Sequence, residues 1–117
     1  MPRARTRSTT ALPALDLRVK LWFEVDGRFA IGEGGFELLR AINDNGSLVG
    51  AAETVGWSYR HAWGYLRRAE TILARPLTTR RAGKGAKRGL DLTDAARELL
   101  QRAAKATKAN QRLRRHT

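Results

Sequence analysis

The segment Leu17–Val25, LRVKLWFEV, alternates apolar and polar positions. Leu17, Val19, Leu21, Phe23 and Val25 fall on one face, and Arg18, Lys20, Trp22 and Glu24 on the other. Period-two alternation rich in β-branched and aromatic residues predicts a half-buried strand. Asp26-Gly27 is a preferred pair for a two-residue hairpin turn, because both central positions need positive φ. RFAI, residues 28–31, reads as the returning strand, and the glycine-rich GEGG at 32–35 is expected to end the hairpin.

From Phe36 the period lengthens. Phe36, Leu39 and Ile42, with Leu38 beside them, recur at helical spacing until Asn45-Gly46, a good C-terminal stop. Ser47 is placed to cap a second helix whose Leu48, Ala51, Ala52 and Val55 lie at i, i+3, i+4 and i+7. Gly56 can take the left-handed conformation that closes it. Ser58 can then cap a third helix, with Tyr59, Ala62, Trp63, Leu66, Ala69 and Leu73 expected along a buried stripe. Arg60, His61, Gly64, Tyr65, Arg67 and Arg68 remain on the outer side. Trp63 is read as core. Tyr59 has two open readings, packed or within reach of a ligand.

Two short helices joined by a glycine-containing turn make a helix-turn-helix. Ala51 and Ala52 allow the next helix to cross closely. After Pro76, LTTRR reads as a strand and LDL at 90–92 as its return. Between them AGKGAKRG holds three glycines and three cations in eight residues and is not expected to form regular structure. Strand, basic loop and strand after a helix-turn-helix is the pattern of a wing. Thr93 can cap a last helix, with Asp94 in its first turn and Leu92, Ala96, Leu99, Leu100 and Ala103 as its apolar stripe. The expected fold class is α+β, mainly helical: a winged helix-turn-helix with an N-terminal β-hairpin and a C-terminal helix. Its expected extent is 15–106, between a basic tail at 1–14 and a fraying basic end at 107–117.

Charge sharpens this picture. The 117 residues carry 23 Lys and Arg against 11 Asp and Glu, a net +12. An excess of that size points first to nucleic acid and second to a membrane surface. It is also concentrated. Gly34–Gly56 has one base against three acids, whereas Arg75–Arg88 has six bases and no acid, and three arginines precede Ser8. No apolar run is long enough to span a bilayer, and the basic N-terminus has no apolar segment behind it, so neither a membrane span nor a secretory leader is expected. The absence of cysteine fits a reducing, cytoplasmic setting.

A capped helix with an apolar back and a cationic front suits the major groove. Arg60 can pair with guanine acceptors, while Ser58, Tyr59 and His61 can bond bases or phosphates. Arg67 and Arg68 lie where phosphates pass. Gly64 costs about 1 kcal/mol in a helix interior relative to alanine, and its bare backbone permits a close approach. The candidate DNA contacts are therefore Ser47, Ser58, Tyr59, Arg60, His61, Gly64, Arg67 and Arg68 on the helices, with Arg80, Arg81, Lys84, Lys87 and Arg88 on the wing. Catalysis is not expected, since no acid or nucleophile beyond Ser58 accompanies His61. His61 and His116 are too far apart for a zinc site, and GKGAKRG lacks phosphate-loop spacing. No cofactor is expected.

The run GSLVGAAETVGWSYRHAWGYLRRAE resembles the helix-turn-helix of LysR-type and ModE-type bacterial regulators. The opening hairpin, SYRHAW and the glycine-rich wing ending in LDLT resemble the N-terminal domain of the molybdate-responsive ModE type, over roughly Leu15–Ala104. The resemblance implies a homodimer on an inverted DNA repeat. It implies helix contacts through Ser58, Tyr59, Arg60 and His61, and pairing through outer helices, here Phe36–Asn45 and the one after Thr93. Gly64 departs from the acidic residue common there, and the wing is more cationic than usual. The sequence stops before any molybdate-binding domain, so molybdate control of this chain alone is not expected. The alternatives are a low-specificity architectural, nucleoid-associated protein and a module pairing with a separate sensor chain.

Overall fold

A computed structural model describes residues 11–81 and 89–115, with side chains to Leu113. A hairpin comes first: β1, Trp22–Val25, pairs antiparallel with β2, Arg28–Gly32. Asp26 and Gly27 both have positive φ, 52° and 79°, as the turn chemistry requires. A bulge between Phe23 and Glu24 lets both Ala30 and Ile31 of β2 face inward, where they are buried.

The first strand is shorter than its alternation suggested. Leu17 and Val19 are exposed, and residues 11–21 form no regular element. Trp22 pairs with Gly32, the last residue of β2, so among the described residues no strand lies opposite residues 17–21 to complete a ladder. The chain leaves β2 directly into helix α1, Glu33–Asn45, three residues earlier than the spacing of Phe36 implied. Gly34 and Gly35 are therefore helical. A methyl at Gly35 would lie 2.4 Å from Ile31 Cγ1 and 2.6 Å from Tyr65 Cε1, and one at Gly34 would lie 3.0 Å from Trp57 Cζ2. These glycines open the first turn of α1 to aromatic rings from elsewhere in the chain.

Helix α1 is the centre of the fold, not an outer helix. It buries Phe36, Leu38, Leu39, Ala41 and Ile42, leaving polar residues such as Glu37, Arg40 and Asp44 outside. Gly46 stops it at φ 72°. Helix α2, Leu48–Val55, starts where Ser47 Oγ accepts the Gly50 N–H at 3.0 Å and ends at left-handed Gly56. Helix α3, Tyr59–Leu73, starts where Ser58 Oγ accepts the His61 N–H at 3.0 Å. Each such cap contributes about 1 kcal/mol.

The wing follows as β3, Thr78–Arg80, paired antiparallel with β4, Leu90–Leu92. Thr93 accepts the Ala96 N–H and caps helix α4, Asp94–Arg115. That helix runs past residue 106, through a largely polar tract with no glycine or proline to stop it. Ile31, Leu38, Leu39, Ile42 and Leu77 are the largest fully buried side chains. Each stabilises by roughly 1.5–3 kcal/mol, so the core joins hairpin, α1 and wing base into one unit.

Candidate nucleic-acid interface

The orientation of α3 is set by its small and apolar positions. Ala62, Leu66 and Ala69 are buried, with Leu73 half-buried at the end of the same seam. Tyr65, expected on the outer side, turns inward instead. Its hydroxyl accepts the Gly32 N–H at 3.0 Å, and its ring lies over Gly35. Trp57, in the turn between α2 and α3, packs edge-on against His61, with ring centroids 4.3 Å apart, and at a tilt against Tyr65, with centroids 5.2 Å apart. One flank of α3 is thus clamped to the hairpin and α1 by three aromatic rings. His61 stays exposed, but its ring is steered by Trp57.

The opposite flank reverses the expectation for Trp63 and decides between the two readings of Tyr59. Trp63 is 49% exposed and Tyr59 52% exposed, so neither belongs to the core. Ala62, Leu66, Ala69 and Leu73 make a complete i, i+4, i+7, i+11 seam without either ring, and Trp63 and Tyr65 border it on opposite sides. The Arg67 guanidinium lies 5.5 Å from the centroid of the Trp63 ring.

Between the flanks lies a cationic surface. Arg60, Gly64, Arg67 and Arg68 are all exposed. Positions three and four away from Gly64 are His61, Arg60, Arg67 and Arg68, its neighbours on a helix. Among the described residues, apart from its chain neighbours and the helix's own backbone, no atom approaches within 4 Å of where a Gly64 methyl would sit. Packing among the described residues therefore does not account for this glycine. The only carboxylate between Ser58 and Leu73 is Glu70, and it accepts the Leu77 N–H at 2.8 Å. The exposed face of α3 consequently presents arginines without a competing acid.

The wing base is fixed to the turn between α1 and α2. Leu90 N–H donates to Gly46 O at 2.9 Å, and a methyl at Gly89 would come within 2.5 Å of that same oxygen. The Arg81 N–H donates to Gly89 O at 2.7 Å, closing the ladder below the loop. Arg80 is exposed. Arg81 pairs with Asp91 at 3.0 Å and also reaches Leu90 O, so its side chain braces the wing. Both partners are partly exposed, and such a pair contributes about 0–1 kcal/mol. Lys84, Lys87 and Arg88 lie outside the described residues. Ser47 and Ser58 are capped onto their helices, each with a hydroxyl proton free to donate.

Among the described residues, no group of three or more His, Asp or Glu side chains is placed to hold a metal ion, and no helix is long and apolar enough to cross a membrane. What remains as candidate chemistry is the arginine-bearing face of α3, together with a wing whose base is tied to the turn between α1 and α2.

Comparison with known proteins agrees with this architecture. The chain is 40% identical over 97 residues to the molybdenum transport protein ModE of Herbaspirillum seropedicae, covering 78% of this chain and 34% of that protein. It is 40% identical over 63 residues to the molybdenum-pterin-binding protein MopB of Rhodobacter capsulatus, covering 54% of this chain and 23% of that one. It thus spans about a third and a quarter of those relatives. The crystal structure of ArgP from Mycobacterium tuberculosis superposes with a TM-score of 0.52 at 18% identity, over 69% of this chain and 28% of that one, a likeness of fold. The ModE-like reading of the chain is supported by the first two, and the winged helix-turn-helix fold by the third. Residues 35–97, from the first turn of α1 into α4, match the bacterial regulatory helix-turn-helix proteins, a family of regulators and not of enzymes. The chain belongs to that lysR-type family of bacterial regulatory helix-turn-helix proteins.

Proposed function

We propose that this chain binds double-stranded DNA in a sequence-dependent manner and regulates transcription, with α3 entering the major groove and the wing lying against the adjacent backbone. The observation that carries the reading is the outward face of α3. Arg60, Arg67 and Arg68 surround an unfilled glycine, and the single carboxylate of the helix is turned to Leu77. Arg60, in the first turn, reaches base edges, while Arg67 and Arg68 meet phosphates further along. Arg80 and the wing cations Lys84, Lys87 and Arg88 add sequence-independent attraction, whereas Arg81 serves chiefly as a brace. Ser58 and Ser47 contribute through helix N-termini aimed at phosphates.

The chain acts as a homodimer on an inverted repeat, with half-sites about 34 Å apart or a multiple of that spacing. Because α1 is central, pairing falls to α4, whose Leu113 is exposed beyond the core. A reducing, cytoplasmic setting at the nucleoid and a separate sensor chain fit this role. Selection from a randomised duplex library, followed by competition with unrelated DNA, tests the proposal. A regulator retains a specificity ratio of about 10³ or more. A ratio near unity would favour the architectural alternative, which the net charge of +12 also suits.

A further inference from the structure

Trp63 has no structural employment that would account for a large apolar ring on this helix. The seam of α3 is complete without it, and half of the side chain faces solvent. Tyr59 precedes it by four residues and is exposed to a similar extent. Arg67 follows by four, with its guanidinium over the indole. Tyr59, Trp63 and Arg67 therefore form one row along the helix, alongside the row Arg60, Gly64 and Arg68.

The surroundings restrict what this apolar edge can contact. An ordinary apolar protein surface would have to bury three guanidinium groups along with the indole, at a large desolvation cost. A polyanion that also displays apolar groups meets both rows at once. In the DNA major groove the apolar group on display is the C5-methyl of thymine. We propose that Trp63, flanked by Tyr59, reads thymine methyl groups, and that its ring holds Arg67 in position for the neighbouring phosphate. The inference rests on the DNA-binding reading and adds a specificity determinant to it.

The test uses the full chain and the duplex it selects from a randomised library. Each thymine in that duplex is replaced singly by deoxyuracil, which removes the methyl and retains base pairing. Binding is measured by fluorescence anisotropy at fixed salt. One or two thymines per half-site are expected to show about three- to tenfold weaker binding by the wild type on losing the methyl. Trp63→Ala is expected to bind more weakly overall and to be indifferent to uracil at those positions, while Trp63→Phe keeps the sensitivity. Thermal melting of both variants checks that they fold. Should Trp63→Ala bind too weakly to measure, the wild-type and Trp63→Phe scans decide. Uniform tolerance of uracil by the wild type, or undiminished sensitivity in Trp63→Ala, overturns this inference alone. Failure to select any sequence overturns the regulator reading and this inference together.

Discussion

Gly64→Ala separates folding from DNA binding in a single methyl group. In the free protein the new methyl meets open space, since among the described residues no atom beyond its own stretch of helix lies within 4 Å of its position. Steric cost is therefore absent, and the helix gains the ordinary advantage of alanine over glycine, about 0.8–1.0 kcal/mol. For a domain of this size that corresponds to a rise in Tm of about 4–8 °C. On DNA the same methyl sits among His61, Arg60, Arg67 and Arg68, where helix and groove come closest. Overfilling a tight contact costs about 1–3 kcal/mol, or about 5- to 150-fold in Kd. Circular dichroism melting without DNA and fluorescence anisotropy with the selected duplex at one salt concentration read the two effects. Stability should rise while affinity falls. A stabilised variant with unchanged affinity would refute placement of Gly64 at the contact, and a destabilised one would refute the packing argument itself. Gly35→Ala supplies the contrast. Its methyl would lie 2.4 Å from Ile31 Cγ1 and 2.6 Å from Tyr65 Cε1, so it should lower stability by about 1–3 kcal/mol.

Three further outcomes are expected. Tyr65→Phe removes the acceptor of the buried Gly32 N–H and should cost about 1–3 kcal/mol in urea unfolding, with little change in the bases selected. Arg60→Ala should flatten preference at one or two base positions, by about 1–3 kcal/mol, in a base-substitution binding matrix; an unchanged matrix would remove Arg60 from base reading. Binding by wild type should weaken about 10³–10⁵-fold between 50 and 200 mM salt, as for roughly 6–10 phosphate contacts, and a shallow slope would contradict an arginine-led interface.

The sequence was most informative where a local rule acts on a few neighbouring residues. Ser47, Ser58 and Thr93 each accept a backbone N–H at the start of their helix. Gly46, Gly56 and the Asp26-Gly27 turn adopt the positive φ their residue types favour. Arg60, Arg67 and Arg68 lie on the exposed face that the spacing of α3 assigns them. Turns, caps and the polar side of a helix depend on backbone geometry within one or two turns of chain, which a sequence displays directly.

Rings at the flanks of α3 were less legible. Tyr65 and Trp63 both border the buried seam, and helical spacing alone does not say which turns inward. The choice depends on residues far away in sequence: Gly34 and Gly35 leave room beside α1, the Gly32 N–H needs an acceptor, and Trp57 fills the remaining space. The same dependence shortened β1, because an alternating segment becomes a strand only where another strand lies opposite it. The sequence by itself thus determined the order of elements, the caps and turns that separate them and the cationic sign of the exposed helix face, all products of short-range geometry and composition. Only the tertiary structure decided which aromatic side chains became core and which were left to meet a partner, because burial is a property of the space that distant residues leave open.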